Sequence, residues 1–493
     1  MLTAQRNRPT VLLDSNVFIA AEDHGDQGHV HGPLAAELLR HIHSLGYELV
    51  LSHGTKNDVL RAPEPLRSRR QRALEKYTVL DRVPDHPPLR KYFPEPLSPN
   101  DAADLEVLTA FDTGRAQWLV TQDRQLRTRA EAAELDNVLN LQDAVDMFRA
   151  LTGTSPILTV PAITRIKAYT INRDAPIFHT LKEDYPEFEE WWRSKVVPQN
   201  RDVILLGDSH APDGLAVLKK ETNRPYDLPN PSLKICTFKI EGEFQGVKRG
   251  EALLKACIEY ARQSQIDCMY LEVLPEKTDL LDWLKRFGFI ESGNALAPRE
   301  QLVLYKHLVP PAGAVPLSPL EHAIAYGPGN LTLEKAHIVP IQDRWHHSLL
   351  PEADDQGDLF AGSQGCGNAI RKAYLCHASS RKVTPGDGLF FMRTGAGLSR
   401  ITAVGVVEEV KVSDKLNELI RFVGTRTVYT RDQIAEMCAS GNVLALLFRH
   451  DRVFPDPLVI KEAVSAGALN GPPQSLTEIT EKGLRWIRHR LGV

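Results

Sequence analysis

The sequence predicts a multidomain protein with α/β and α+β parts, and three observations support this. The chain has 493 residues, enough for about three domains of ordinary size. Helix and strand patterns alternate over the first third, whereas strand patterns dominate the last third. Two breaker-rich stretches, 152–156 and 310–319, interrupt the patterns and indicate linkers. We therefore expect domains at 1–152, 160–309 and 330–493.

Composition narrows the class of protein. Hydrophobic residues make up 42% and charged residues 25% of the chain, which is typical of a soluble globular protein. No apolar run reaches membrane-spanning length, and the N-terminus lacks the apolar core of a signal peptide. The six cysteines show no C-x-x-C spacing. A cytoplasmic protein without membrane contact is expected, and the net charge of −4 gives no overall attraction to nucleic acid.

The first domain has the pattern of βαβ units. Strands are expected near 10–14, 48–52 and 117–121, and helices near 33–45, 66–77, 101–113 and 141–150. Alternating units of this kind form a parallel sheet.

Five acidic residues lie after these strands or on the segments between them. Asp14 and Asp123 each follow an apolar strand, Asp58 lies between them, and Asp101 and Asp104 open a helix. Such carboxylates can meet in one crevice of an α/β sheet, where their repulsion needs a cation. Hard oxygen ligands select Mg²⁺ or Mn²⁺, which activate water for phosphoryl transfer. We expect a catalytic metal site formed by Asp14, Asp58, Asp104 and Asp123, with Asp101 nearby.

Helix capping is the alternative for Asp14, Asp101 and Asp104 taken singly. As a set, the acids, with Asp14-Ser15-Asn16-Val17 and Leu119-Val120-Thr121-Gln122-Asp123, resemble a PIN domain over residues 8–150. The resemblance implies a metal-dependent ribonuclease. Asp58 departs from it, because glutamate is commoner there.

A basic cluster lies on one predicted helix of this domain. A phosphate-binding track beside an acidic metal site is one use for such a cluster, and a solvated helix face is the other. The residues are Arg67, Arg69, Arg70 and Arg72.

The middle block has a glycine-bearing turn between a strand and a helix. The strand Lys234–Ile240 precedes Gly246 and Gly250, and an amphipathic helix follows to about Arg262. Backbone N–H groups at a helix N-terminus bind pyrophosphate well, and Lys248 adds positive charge.

This arrangement, with Arg286-Phe287-Gly288-Phe289, resembles the GNAT acyltransferases over about 165–307. The resemblance implies acetyl-CoA as cofactor, and a general base for which Glu272 is the candidate, with Glu241 and Glu243 as rivals. Each of the three is equally readable as a surface carboxylate. The expected cofactor contacts are Ile240, Gln245, Gly246, Val247, Lys248, Arg249, Gly250 and Glu251.

The middle block departs from the GNAT pattern at three positions. Lys248 replaces a loop glycine, Leu284 replaces the usual proton-donating tyrosine, and Lys277 replaces a frequent asparagine. The cofactor seat is therefore better preserved than the proton-transfer apparatus.

The last block has a Pro385-Gly386-Asp387-Gly388 turn before an aromatic strand, followed by Val404-Gly405-Val406-Val407. This resembles the PUA/ASCH/EVE group of small β-barrels, which implies RNA or modified-base binding. Arg371, Lys372 and Arg393, with Tyr374 and Trp345, are the expected RNA surface. The alternative is that the aromatics belong to the core and the cations are solvated.

Together the resemblances imply a ribonuclease joined to an N-acetyltransferase and an RNA-recognition barrel, as in a tRNA-directed toxin or defence factor. RNA, acetyl-CoA and an inhibitory partner are the expected partners, and the oligomeric state stays open. Two alternatives remain. One is an N-acetyltransferase of protein or small-molecule amines with a non-catalytic first domain, and the other is a regulatory RNA-binding protein.

Overall fold

The computed structural model describes residues 8–22, 29, 31–83, 87–153, 162–223, 225–241, 249–293, 301–353, 368–377, 382–395 and 399–493. The chain folds as two compact units, Met1–Ser155 and Pro156–Val493. The second and third expected domains therefore lie within one unit. No helix among the described residues is long and apolar enough to cross a bilayer.

The first unit contains a parallel sheet in the order β3-β2-β1-β4-β5. This agrees with the parallel α/β sheet predicted from the alternating pattern. The strands are β1 (Thr10–Leu13), β2 (Glu48–Leu51), β3 (Thr78–Val79), β4 (Trp118–Val120) and β5 (Val138–Leu139). The helices are α1 (Ser15–Glu22), α2 (Gly32–Ser44), α3 (His53–Val59), α4 (Leu66–Leu74), α5 (Pro87–Arg90), α6 (Pro99–Asp112), α7 (Arg124–Ala132) and α8 (Leu141–Thr152).

The burial of β1 agrees with its position at the centre of the sheet. Val11, Leu12 and Leu13 of β1 are fully buried, as expected for a central strand covered on both faces. Asp14 directly follows β1, and its N–H donates to the carbonyl of Val120 at the end of β4. The chain therefore delivers Asp14 to the carboxyl edge of the sheet, between two strands.

Close packing of α3 on α6 brings two further acidic segments toward this edge. Gly54 of α3 lies so near α6 that an added Cβ would be 2.6 Å from the carbonyl oxygen of Ala103. Only glycine permits this approach. The contact sets Asp58 and Asp104 on adjacent helices.

The second unit begins with a mixed sheet in the order β11-β12-β10-β9-β8-β7-β6. Neighbouring strands are antiparallel except β9 and β10, which are parallel. The strands are β6 (Ile163–Lys167), β7 (Asp202–Gly207), β8 (Pro212–Glu221), β9 (Ser232–Ile240), β10 (Cys268–Val273), β11 (Ile290–Glu291) and β12 (Leu302–His307). The helices are α9 (His179–Asp184), α10 (Phe188–Trp191), α11 (Arg249–Gln263) and α12 (Thr278–Arg286).

Two apolar clusters cover the faces of this sheet. Residues of α11 and α12 pack on one face, through Leu253, Leu254 and Leu284. Residues of the α9–α10 segment pack on the other, through Phe178 and Trp192.

The C-terminal part of this unit contains a third sheet in the order β14-β17-β16-β15-β13-β18. Its strands are β13 (Ala336–Gln342), β14 (Arg371–Cys376), β15 (Gly388–Thr394), β16 (Arg400–Ser413), β17 (Val443–Val459) and β18 (Thr477–Glu478). The helices are α13 (Pro319–Tyr326), α14 (Asp343–Leu349), α15 (Leu416–Val423), α16 (Arg431–Ala439), α17 (Ile460–Ser465) and α18 (Glu481–Leu491).

The barrel expected here is not closed by a strand ladder in the described part of the chain. β14 pairs only with β17, and β13 pairs with β15 and with the two residues of β18. A side chain bridges the seam instead, because the Tyr374 hydroxyl donates to the carbonyl of Pro340 at 3.1 Å. Pro340 itself has no N–H to donate to a neighbouring strand.

Buried polar contacts join the two sheets of the second unit. One stripe of α11 faces the C-terminal part: Glu251 accepts the backbone N–H of Arg371 at 3.0 Å, and the buried Lys255 ammonium contacts Glu352 and His450. Lys306 of β12, fully buried, donates to the carbonyls that end α13. The linker prediction at 310–319 therefore marks a chain connection between parts that pack as one unit.

Candidate functional site

The acidic cluster of the first unit centres on Asp14. Its carboxylate is 4% exposed and accepts hydrogen bonds from the Thr121 hydroxyl at 2.6 Å, the Asn16 amide at 2.8 Å and the Ser15 N–H at 2.7 Å. Burial raises the pKa of Asp14, with smaller contributions from the charges of Asp123 and Asp58.

Asp104 is the second member of this cluster. Burial and the neighbouring charges of Asp14 and Asp123 raise its pKa to about 7. Its Oδ2 contacts Arg129 at 3.2 Å, whereas its Oδ1 accepts no hydrogen bond from the described residues. Asp123 uses Oδ1 to cap α7 and likewise has no described donor at Oδ2. These two oxygens are the atoms of the cluster best suited to a cation.

The other two predicted acids have protein partners. Asp58 pairs with Arg61 at 2.9 Å. Asp101 forms a capping box with Ser98 at the start of α6, so the capping alternative describes its geometry. Hydrogen bonds from Ser98 and Arg129 lower the pKa of Asp101.

Within the described residues, no group of three or more His, Cys, Asp or Glu side chains is arranged to hold a metal ion. The predicted set of four ligands, Asp14, Asp58, Asp104 and Asp123, is thus not assembled as a cage, although Asp14, Asp104 and Asp123 are close enough to repel. Protein groups are partners of these carboxylates instead, since Asp14 accepts from Thr121, Asp58 pairs with Arg61 and Asp104 contacts Arg129. The chemistry of the set still suits a small hard cation, because Asp104 and Asp123 each offer one carboxylate oxygen without a donor among the described residues.

Arg129 is a residue of this cluster that the sequence patterns did not single out. Its guanidinium bridges Asp101 at 2.6 Å and Asp104 at 3.2 Å, is 6% exposed, and stacks on the Phe93 ring at 4.3 Å. A signal was available, since Arg129 lies two helical turns after the cap Asp123 on the face toward α6.

The predicted basic track lies on α4. Arg67, Arg69 and Arg72 are exposed, Arg70 is half-buried, and Arg67 pairs with Glu64 at 2.9 Å. α4 is short and polar, and Arg67, Arg69 and Arg72 lie at the surface of the first unit.

The middle sheet has a gap between its two parallel strands. β9 and β10 pair only at Leu233–Met269 and Lys234–Tyr270. β9 continues to Ile240 and β10 to Val273 without further pairing between them. The backbone edges of the two strands are therefore unpaired toward their carboxyl ends, where ligands of open α/β sheets bind.

Glu272 lies in this gap, two residues after the last pair. Its Oε1 accepts the Lys234 ammonium at 2.6 Å and the Tyr226 hydroxyl at 2.7 Å. Its Oε2 accepts no hydrogen bond from the described residues, and the side chain is 14% exposed. Glu272 is thus a held carboxylate with one oxygen left for another partner. Its rival Glu241 follows β9 and donates its N–H to Asp213, whereas Glu243 lies outside the described residues.

The helix α11 begins at Arg249, beyond the carboxyl end of β9. Gln245, Gly246, Val247 and Lys248 of the predicted pyrophosphate loop lie outside the described residues. Ile240 ends β9. Gly250 packs beside Trp283, and a Cβ added at Gly250 would lie 3.4 Å from the Trp283 ring.

Two predicted cofactor contacts are directed elsewhere. Arg249 is buried and pairs with Asp213 at 2.8 Å, and Glu251 accepts from Arg371. Their side chains are engaged in packing α11, so the helix N–H groups are the remaining phosphate donors of this segment.

The predicted C-terminal RNA surface is corrected at Lys372. Lys372 is fully buried, and its ammonium donates to the carbonyl of Leu349 at 2.7 Å. Arg371 pairs with Glu408 at 2.8 Å, and Arg393 pairs with Asp343. Tyr374 lies in the core cluster, and Trp345 packs against it. Lys372 faces the interior because it sits on a strand between two covered faces.

Three comparisons with known proteins bear on these sites. The model of the acetyltransferase (GNAT) family matches residues 167–289. No curated protein matches the chain by sequence.

Solved structures similar to parts of the chain include ASCH and GNAT-family proteins. The ASCH protein of Zymomonas mobilis is 12% identical, with 31% of this chain and 94% of that chain covered and a TM-score of 0.25. A GNAT-family acetyltransferase of Staphylococcus aureus is 17% identical, with 30% and 100% covered and a TM-score of 0.24. The PaiA N-acetyltransferase of Thermoplasma acidophilum, solved with coenzyme A, is 12% identical, with 30% and 99% covered and a TM-score of 0.23.

The family match includes both the strand gap and the start of α11. Residues 167–289 therefore form a GNAT acetyltransferase domain, and the candidate residues Glu272 and Gly250 lie within the matched range.

Proposed function

We propose that the second unit transfers an acetyl group from acetyl-CoA to an amine. The observation that carries the proposal is the gap between β9 and β10, with α11 starting beyond the same end of β9. The amide-bearing arm of coenzyme A can hydrogen-bond with unpaired strand edges, and a helix N-terminus accommodates pyrophosphate. The GNAT match over 167–289 supports the same cofactor.

Acetyl-CoA supplies the acetyl group as an activated thioester. In the proposed reaction the acceptor nitrogen bonds to the acyl carbon, the carbon–sulfur bond of the thioester breaks, and coenzyme A leaves as its thiolate. Glu272 accepts, at Oε2, the proton that the nitrogen loses. Leu284 is an aliphatic side chain, fully buried in the core, and has no proton to donate to the sulfur. In this proposal the departing thiolate takes its proton from solvent. The helix N-terminus at Gly250 orients the cofactor.

Binding and turnover test this proposal separately. Calorimetry with coenzyme A tests the seat: Gly250→Asp places a negative charge at the helix N-terminus and should abolish binding, whereas Gly250→Ala adds only a methyl group and should preserve it. Acetyl transfer tests the base. Glu272→Gln should lower kcat by about 10²–10⁴-fold, and the exposed Glu276→Gln should leave it unchanged. Absence of coenzyme A binding by the wild-type chain would reject the proposal.

We propose as a second function that the first unit is a metal-dependent ribonuclease. The observation that favours it is the mutual repulsion of Asp14, Asp104 and Asp123, two of which have an oxygen without a described partner. This proposal rests on geometry, because the matched family model lies outside the first unit. Asp14, Asp104 and Asp123 would hold Mg²⁺ or Mn²⁺, which supplies activation of water and charge neutralisation at phosphate when bound.

Cleavage of total RNA with and without Mn²⁺ tests this second function. Asp14→Asn and Asp104→Asn should remove metal-dependent cleavage, because an amide cannot balance the charge of the ion. The exposed Asp136→Asn is the matched control and should cleave normally. Wild-type cleavage by both site variants would reject the nuclease. A tRNA substrate, a toxin role and an inhibitory partner belong to this second proposal.

A further inference from the structure

The turn between β8 and β9 holds a tyrosine directly over the candidate base. Tyr226 and Asp227 both adopt positive φ, at 55° and 57°. Two consecutive non-glycine residues in this region are disfavoured and persist only where the surroundings require them. The Tyr226 ring is fixed edge-on against Tyr270, with ring centroids 5.9 Å apart.

The turn allows Tyr226 to form a hydrogen bond at the gap between β9 and β10. It aims the Tyr226 hydroxyl at Oε1 of Glu272, 2.7 Å away, where Lys234 also donates at 2.6 Å. Two donors on one oxygen fix the plane and rotamer of the carboxylate, and Oε2 is left without a described donor. A base fixed in this way loses little freedom when an acceptor nitrogen arrives.

Tyr226 does not act as a source of charge. Burial and the Glu272 carboxylate raise the pKa of its phenol well above the ordinary value, so it stays a neutral hydrogen-bond donor near neutral pH. The sequence patterns did not mark Tyr226, because it lies in a proline-containing turn far from Glu272 along the chain.

We propose that Tyr226 is a positioning residue for acetyl transfer, which holds Glu272 through Oε1 so that Oε2 faces the acceptor amine. The proposal rests on the acetyltransferase function proposed for this unit. It assigns Tyr226 no contact with the reacting atoms, and its effect passes entirely through Glu272.

A double-mutant cycle tests this dependence. Tyr226→Phe keeps the ring against Tyr270 and removes only the hydroxyl, and it should lower kcat about tenfold, with coenzyme A affinity and melting temperature unchanged. In the Glu272→Gln background the same change should cost nothing more, because the carboxylate it holds is gone. Tyr305→Phe is the control, since Tyr305 packs in the same aromatic cluster without contacting Glu272.

Different results would reject the role of Tyr226 and the proposed acetyltransferase function. A wild-type chain that neither binds coenzyme A nor transfers acetyl rejects the proposed function itself. With an active wild type, unchanged kcat in Tyr226→Phe, an equal loss in Tyr305→Phe, or additive losses in the double variant would overturn the role of Tyr226. Lys234→Arg should retain more activity than Lys234→Met, because the second donor to Oε1 is preserved.

Discussion

A methyl group added at Gly288 should weaken the packing of α13 against β12 in the second unit. Gly288 has φ +79°, and an added Cβ would lie 2.0 Å from the carbonyl oxygen of Ile324 and 2.8 Å from the Lys306 ammonium. That carbonyl is one of the two that Lys306 holds, at 2.8 Å. Gly288→Ala therefore strains the backbone and pushes α13 away from a buried cation.

The magnitude follows from these two effects. Alanine at positive φ costs about 1–2 kcal/mol. Loss of a hydrogen bond to the buried Lys306 ammonium costs about 1.5–3 kcal/mol. We therefore expect Gly288→Ala to destabilise the second unit by about 2.5–5 kcal/mol. Gly313 isolates the first effect, because its φ is +80° and no atom lies within 4 Å of an added Cβ. Gly313→Ala should therefore show the backbone cost alone.

Scanning calorimetry of the full chain measures the difference. Both glycines belong to the second unit, so the same unfolding transition is compared. Gly288→Ala should melt roughly 2–4 °C below Gly313→Ala. Equal melting temperatures would refute the reasoning, since they would mean that α13 yields without loss of the Lys306 contacts.

Three further predictions concern the second unit. Burial raises the pKa of Asp202, but hydrogen bonds from Lys167, Tyr260 and Arg165 outweigh it and lower the pKa to about 2. The ionised carboxylate therefore stabilises the fold above pH ~4, and this stabilisation is lost as the pH falls toward ~2. Asp202→Asn should remove about 1–2 kcal/mol of this pH-dependent stability, as measured by urea titrations at several pH values. Glu352→Gln leaves the buried Lys255 with a neutral partner and should lower the free energy of unfolding by about 2–3 kcal/mol. Adding Lys255→Met should recover part of this loss, and no recovery would contradict the pairing. Deleting residues after 330 should abolish cooperative unfolding of residues 156–330 by calorimetry, because the polar stripe of α11 loses its partners, and an intact transition would show that the domain folds alone.

Local patterns determined the first unit well. The apolar strand before Asp14 and the alternation of strands and helices predicted a parallel sheet, because hydrophobic periodicity reports burial directly. They also placed Asp14 and Asp123 after strands. In the structure Asp14 directly follows β1, and Asp123 caps α7 three residues after the end of β4. In the middle block, the strand, glycine and helix order predicted a GNAT domain, which the family match confirms over 167–289.

Only the tertiary structure decided which partner each polar side chain has. Arg129 pairs with Asp101 and Asp104, and Tyr226 reaches Glu272, through packing of segments distant in sequence. Lys372 was expected at the surface, but the strand that carries it is covered on both faces. Composition and spacing report how often a residue type occurs and on which side of an element it falls. They do not report which distant element covers that side, and that contact decides whether a charge is a ligand, a support or a buried hydrogen-bond donor.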